Sequence, residues 1–407
     1  MSWVRMDDIC EFLNGGAWSD KEYVASGLPV LKVSNCKNSG FQIEDINYLP
    51  ITSKEKYAKN KLHKGDVIIA TVGSHPNLVE SAAGRSCVVN SLVDGFYLNQ
   101  NAVCLRTKDS DVLDQGYLGY LCKERRFQHF IQNKGRGAAN QMRIAIGGIK
   151  EYEFDLPDID IQRKIATILT AYDALIENNQ KQIKLLEEAA QRLYKEWFVD
   201  LRFPGYENVK IVDGVPEGWL TTTVDSFIKI QSGYAFKSNS FDNTGKYKIV
   251  TIKNVQDGAF DEENVNRIIE IPSKMPSHCK LNEGDTLISL TGNVGRICTV
   301  IGDNYLLNQR VAKIVSDYPC YAYYLFRSKK MFHDMNNLAN GAAQQNLSPI
   351  RTGQMQILKP SDDILLMFEE MAKLLMYKKI LLNKSIVTAK QARDRLLPKL
   401  MSGEIEV

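Results

Sequence analysis

The sequence predicts an α+β fold used twice. Two similar globular units are joined by two long helices that pair as an antiparallel coiled coil, with a pseudo-two-fold internal repeat relating the halves. Three observations predict it. A long helical run follows Pro157, and another follows Pro360, 203 positions later. Both runs carry apolar residues at alternating steps of four and three. Short turn motifs recur in the same order ahead of each run.

In the first run the apolar seam is Ile165, Leu169, Tyr172, Ile176, Ile183, Leu186, Ala190, Leu193 and Trp197. The same shift of 203 gives Phe368, Ala372, Leu375, Lys379, Ile386, Ala389, Arg393, Leu396 and Leu400, and Leu382 lies on the same face. The average step of about 3.5 residues is coiled-coil spacing. Each seam covers about 36 residues, or roughly 54 Å at about 1.5 Å per residue. A helix packed only on its own domain of about 150 residues has no use for so long a seam, so pairing of the two helices is favoured. If a pseudo-two-fold axis relates the halves, the paired helices run antiparallel. Asn179, Lys379 and Arg393 interrupt the seam and either fix its register or face solvent. Asp160 and Ser361 are candidate N-caps, and Pro398 should end the second helix.

The repeat extends through the globular halves. Trp3 and Trp219 each open a half, and Asn14-Gly15-Gly16 corresponds to Gln231-Ser232-Gly233. Leu62-His63-Lys64-Gly65-Asp66 answers Leu281-Asn282-Glu283-Gly284-Asp285, a Gly-Asp turn feeding an apolar β run. Asn35 matches Asn254, Leu98-Asn99-Gln100 matches Leu307-Asn308-Gln309, and Gly137-Ala138-Ala139 matches Gly341-Ala342-Ala343. Short β runs are expected at 66–72, 101–105, 248–252 and 286–290, and helical patches at 115–130 and 321–335. The resulting division is a first globular domain at 1–157, a central helix at 158–200, a linker at 201–217, a second domain at 218–360, and a C-terminal helix and tail at 361–407.

The apolar and charged fractions, 44% and 24%, are those of an ordinary globular protein. No apolar run reaches the roughly 18 residues of a membrane span, and residues 1–15 lack a signal peptide's apolar stretch. The eight cysteines are scattered, which fits reduced thiols in a cytoplasm. A net charge of +3 neither supports nor excludes nucleic acid. There is no phosphate-binding Gly-x-x-x-x-Gly-Lys-Ser/Thr loop, amino-methyltransferase motif or nuclease motif, and the five histidines have no metal-ligand spacing. The chain is expected to have no catalytic site, cofactor or metal of its own.

Polar loops carry more information. Two similar modules in inverted orientation suit the local two-fold symmetry of duplex DNA; a scaffold for two protein ligands fits the same geometry. Loops after β runs bring backbone amides to phosphates, and Asn, Gln, Arg and Ser address base edges. The candidate DNA contacts in the first half are Trp18, Lys32, Ser34, Asn35, Thr71, Gly73, Ser74, His75, Asn99, Gln100, Arg136, Asn140, Gln141 and Arg143. In the second half they are Tyr234, Phe236, Lys237, Lys253, Asn254, Thr291, Asn293, Arg296, Asn308, Gln309, Arg310, Gln344, Gln345 and Asn346.

Three segments carry a family resemblance. Ile161-Gln162-Arg163-Lys164-Ile165-Ala166 opens the first helix, and Tyr194-Lys195-Glu196-Trp197-Phe198-Val199-Asp200-Leu201-Arg202-Phe203-Pro204-Gly205 closes it. Leu396-Leu397-Pro398-Lys399-Leu400-Met401-Ser402-Gly403-Glu404-Ile405 lies at the C-terminus. Together they resemble specificity subunits of type I restriction-modification enzymes. The resemblance implies two target recognition domains, each binding half of a bipartite double-stranded DNA site, with the coiled coil setting the spacing. It implies docking of two modification (methyltransferase) subunits and of restriction (endonuclease) subunits in the cytoplasm. S-adenosylmethionine, ATP and Mg would then belong to those partners. The second helix departs from the pattern, opening with Ser361-Asp362-Asp363-Ile364-Leu365-Leu366. If the Gln-Arg-Lys-Ile-Ala signature of the first helix contributes to partner docking, the two docking sites are not equivalent.

Overall fold

The computed structural model describes residues 2–37, 40–43, 45–73, 83–138, 141–262, 265–339 and 345–407. The chain forms two compact units, Met1–Leu175 with Ala389–Val407, and Ile176–Thr388. Each unit holds one globular α+β body and a part of each long helix.

In the first unit an antiparallel sheet runs in the order Cys10–Asn14, Ala102–Thr107, Val67–Ala70, Ser86–Val88. A second sheet places Leu28–Leu31 between Tyr97–Leu98, parallel to it, and Asn47–Leu49, antiparallel. Ser2–Arg5 pairs with Glu153–Leu156 just before the long helix. The second unit repeats this plan. Ile228–Ser232, Val311–Ser316, Thr286–Ser289 and Ile297–Thr299 form the first sheet. Tyr247–Val250 lies between Asn266–Ile268 and Tyr305–Leu307 in the second, and Leu220–Thr223 pairs with Gln356–Lys359.

The all-buried Val67–Ala70 and Thr286–Ser289 follow the Gly-Asp turns. Gly65 and Gly284 adopt φ of 95° and 91°, a region that favours glycine. The Asp66 and Asp285 carboxylates then accept the His63 and Asn282 N–H groups, each at 2.8 Å. Each expected helical patch is two helices, Gln115–Lys123 with Arg125–Asn133, and Pro319–Arg327 with Lys329–Ala339. Glu124 and Ser328 adopt extended backbone at the breaks, and their side chains accept the Phe127 and Met331 N–H groups. A local capping bond thus outcompetes continuation of the helix.

The long helices span Ile159–Tyr194 and Asp362–Met401. Asp160 lies inside the first turn rather than at the cap, whereas Asp362 directly follows Ser361. Pro398 does not stop the second helix. It sits inside, three residues from the end, and the chain turns at Gly403, whose φ is 74°. Beyond Tyr194 the central helix widens into a π turn, Lys195–Val199, with the Asp200 N–H donating to the Lys195 carbonyl at 2.8 Å. That widening turns Trp197 and Phe198 toward Phe368, at ring distances of 5.9 and 5.0 Å.

Both helices complete both cores. Ile165, Leu169 and Leu400 pack with Leu118, Phe127 and Ile131 in the first unit. Ala190, Tyr194, Trp197, Phe368 and Ala372 pack with Phe326 and Met335 in the second. Ile176, Leu382 and Ile386 are also buried, while Tyr172, Ile183, Leu186, Leu193, Leu375 and Leu396 are half-buried. Within the second unit Asn179 reaches Ser385 at 2.9 Å, Glu187 reaches Lys379 at 2.6 Å, and the Tyr194 and Phe368 rings stand 6.2 Å apart. Rising numbers on one helix meet falling numbers on the other, so the pair is antiparallel. The three polar interruptions all turn inward: Asn179 and Lys379 are buried, and Arg393 is half-buried.

Candidate functional site

Five backbone hydrogen bonds gather the candidate loops of the first body. The Gly15 N–H donates to the Ala102 carbonyl at 3.0 Å, Gly16 to Leu98 at 2.8 Å, and Asn99 to Leu31 at 3.0 Å. The Thr71 N–H donates to Asn101 at 2.9 Å, and Ile144 to Thr71 at 2.8 Å. The second body repeats each bond. Gly233 donates to Val311 at 3.1 Å, Tyr234 to Leu307 at 2.9 Å, and Asn308 to Val250 at 3.1 Å. Leu290 donates to Arg310 at 2.9 Å, and Leu347 to Leu290 at 2.7 Å. Loops distant in sequence thus form one ridge per body.

These bonds correct two sequence alignments. Gly15 corresponds to Gly233, one place from the motif match. A Cβ on either glycine would stand 1.9 Å from the Asn99 carbonyl oxygen or 2.3 Å from that of Asn308, so no side chain fits. Val4 and Thr222 pair with Phe154 and Ile357, which makes Trp3 the counterpart of Thr221 rather than of Trp219. Trp3 is 66% exposed, whereas Trp219 is 5% exposed and packs on Phe203 at 5.0 Å.

Several candidates hold the ridge from within. The Asn35 side chain accepts the Lys32 N–H at 2.9 Å and donates to the Gln42 carbonyl at 3.0 Å. Asn254 does the same with Thr251 and Asp261, at 2.8 and 2.9 Å. Both amides staple a small hairpin and are buried, because the hairpin's backbone groups need partners. Trp18 is likewise buried, donating to the Tyr23 hydroxyl at 3.0 Å and stacking edge-on with Tyr57. Thr71 is buried, and Thr291 pairs with Asn346 in an isolated bridge.

Other candidates face outward. Ser34, Gln100, Arg136 and Arg143 are exposed on the first body, with Lys32, Gly73 and Asn99 half-buried. Lys237, Lys253, Asn293, Gln309, Arg310, Gln345 and Asn346 are exposed on the second, with Tyr234, Phe236, Thr291, Arg296 and Asn308 half-buried. Arg296 donates to the Gln256 side chain. Ser74, His75, Asn140 and Gln344 lie outside the described residues, as does the Gln141 side chain.

Sequence reasoning missed how the helix-opening motif works. Gln162 is fully buried; it donates to the Val112 and Pro157 carbonyls at 2.9 and 2.8 Å and accepts the Asp114 N–H at 2.9 Å. It clamps the central helix to the first body. The second body uses Glu369, which accepts the Cys320 and Tyr321 N–H groups at 3.2 and 2.7 Å and so caps a helix start. All eight cysteines are free and buried, and burial pushes the Cys10 thiol up to about 12. Among the described residues no His, Cys, Asp and Glu cluster is placed to hold a metal, and no helix is long and apolar enough to cross a membrane.

The family model described as the type I restriction modification DNA specificity domain matches residues 1–188 and 216–351. The type I restriction enzyme MjaIX specificity subunit of Methanocaldococcus jannaschii is 26% identical over 314 residues, covering 72% of this chain and 69% of that protein. The HindI specificity subunit of Haemophilus influenzae is 21% identical over 416 residues, covering 86% and 88%. The fold is similar to the crystal structure of a type I restriction-modification S subunit from M. genitalium, with a TM-score of 0.60 and 16% identity over 98% of this chain and 95% of that one. Two repeated bodies, two shared helices and the extent of the family match lead to one conclusion: the chain belongs to the type I restriction-modification DNA specificity family.

Proposed function

We propose that each ridge reads one half of a bipartite, asymmetric DNA site, and that the paired helices set the distance between the halves. The chain is a non-catalytic specificity subunit, and the chemistry belongs to other subunits of its complex. One observation carries the reading: the two ridges share their backbone bonds but present different outward side chains. Equal scaffolds with unequal polar surfaces suit unequal half-sites.

The first ridge adds a feature aimed at phosphate. Arg136 and Arg143 stand directly opposite each other across a hairpin, both exposed. Like charges so placed weaken a hairpin, and a DNA phosphate relieves the repulsion. In this proposal two modification subunits dock on the helices and restriction subunits join them in the cytoplasm. S-adenosylmethionine, ATP and Mg reside on those partners.

An exposed apolar stripe supports docking: Leu366, Met367, Met371, Leu374, Tyr377 and Leu381 on the C-terminal helix. At the repeat-equivalent positions the central helix carries Arg163, Lys164, Ile168, Ala171, Ala174 and Asn178, so the two docking faces differ in character.

The test is selection of bound duplexes from a random pool by the chain with its modification partner. A split site with two different halves is expected. A single contiguous site, or no enrichment, overturns the reading.

A further inference from the structure

Two ion pairs cross the helix seam, and both have the same polarity. In the first unit Asp173 of the central helix meets Arg393 of the C-terminal helix at 2.5 Å. In the second unit Glu187 of the central helix meets Lys379 of the C-terminal helix at 2.6 Å. Each pair is also touched by a tyrosine of its own globular body. The Tyr120 hydroxyl donates to Asp173 at 2.8 Å, and Lys379 donates to the Tyr323 hydroxyl at 2.8 Å. These tyrosines are 203 positions apart, the shift that relates the helices. The tyrosine recurs at the shift while the charges do not. Acids sit on the central helix in both pairs, and bases on the C-terminal helix.

We propose that this arrangement is a pairing code that admits only the union of a central helix with a C-terminal helix and refuses like pairs formed with a second copy of the chain. Because the helices are repeats, either one could in principle take the other's place in a like pair. The shift of 203 says what would then meet. Between two central helices Asp173 would face Ala190, and Glu187 would face Ile176. Between two C-terminal helices Lys379 would face Lys390, and Arg393 would face Met376. Every like pair therefore loses both cross-helix ion pairs: Asp173, Glu187 and Arg393 keep Lys123, Arg327 and Asp394, but Lys379, only 3% exposed, loses its acid and meets a second lysine. Removing one partner of a buried pair is far costlier than the net worth of the pair, so such charges act mainly on partner choice. Asn179 and Ser385 add a neutral bond at 2.9 Å that helps hold the register. The code does not depend on the DNA reading.

Lys123 lies 3.6 Å from Asp173 and Arg327 bonds Glu187, so the Asp173–Arg393 pair is the cleaner one to reverse, in a Lys123→Gln background. The full chain is made as Asp173→Arg, as Arg393→Asp and as the double variant. Each single reversal should lower Tm by roughly 5 °C or more, and the double variant should regain most of it. Asp173→Arg and Arg393→Asp chains, given different tags and co-expressed, should co-purify as a 1:1 dimer in which each unlike pair is restored in trans. Two tagged copies of the parent chain should not co-purify. A double variant no more stable than the weaker single, or absence of the mixed dimer, overturns the proposal. The co-expression arm stays decisive even where a single variant fails to fold alone.

Discussion

At the residue scale, recurrence between the halves marks scaffold before it marks recognition. Asn35 and Asn254 look like base readers because they recur, yet each is buried with its amide bonded to hairpin backbone. Asn254→Ala leaves the Thr251 N–H and the Asp261 carbonyl without that partner. Such a loss costs about 1–3 kcal/mol, to be seen in urea unfolding, with the selected DNA half-site unchanged. Arg136 and Arg143 are the opposite case, exposed and in no ion pair among the described residues. Replacing both by Ala should weaken DNA binding for all sequences alike and flatten the salt dependence of binding by about two units of slope. An altered base preference with unchanged salt slope would assign these arginines to base reading instead.

At the element scale, the long helices act as parts of both cores as well as connectors. The central helix is clamped by Gln162 at its start and by the aromatic π turn at its end. Burial pushes the Asp173 carboxyl up, but Lys123 and Arg393 outweigh that and hold it below its ordinary 3.8. A depressed carboxyl contributes stability above its unfolded pKa and loses it as pH falls through the lower folded value. The stability advantage of the parent chain over Arg393→Met should therefore be full near neutral pH and shrink below about pH 4. Denaturant midpoints across that range check this, and a gap independent of pH would count against the ion pair.

At the scale of the whole molecule, two similar bodies are joined by helices whose register is set by paired polar groups. One heptad inserted in both helices beside the Asn179–Ser385 contact keeps the antiparallel pairing and lengthens each helix by roughly 10 Å. The spacer in the selected DNA should grow by about three base pairs while both half-sites stay the same. Changed half-sites would contradict the division of labour between ridge and helix. The large apolar residues of the stripe from Leu366 to Leu381 are matched on the central helix mostly by charged, polar or small ones, so loss of one partner subunit should follow polar substitutions there sooner than substitutions at Ala171 or Ala174.

By itself the sequence determined the duplication, the two long helices, the Gly-Asp turns and the family, because these rest on periodicity and short-range spacing, which a linear chain displays directly. It did not determine which recurring polar side chains face inward. Asn35, Asn254 and Trp18 read as contacts, and only the folded loops show their atoms committed to neighbours. Helix stops were equally hidden: Pro398 reads as a stop, but Gly403 makes the turn. The seam shows the same limit. Lys379 and Arg393 are visible as breaks in the pattern, but their acids Glu187 and Asp173 are named only once the antiparallel register is known. The helix register arises from contacts between residues some 200 positions apart, and the inward turn of Asn35, Asn254 and Trp18 from how their loops close; both exist only after the chain has folded.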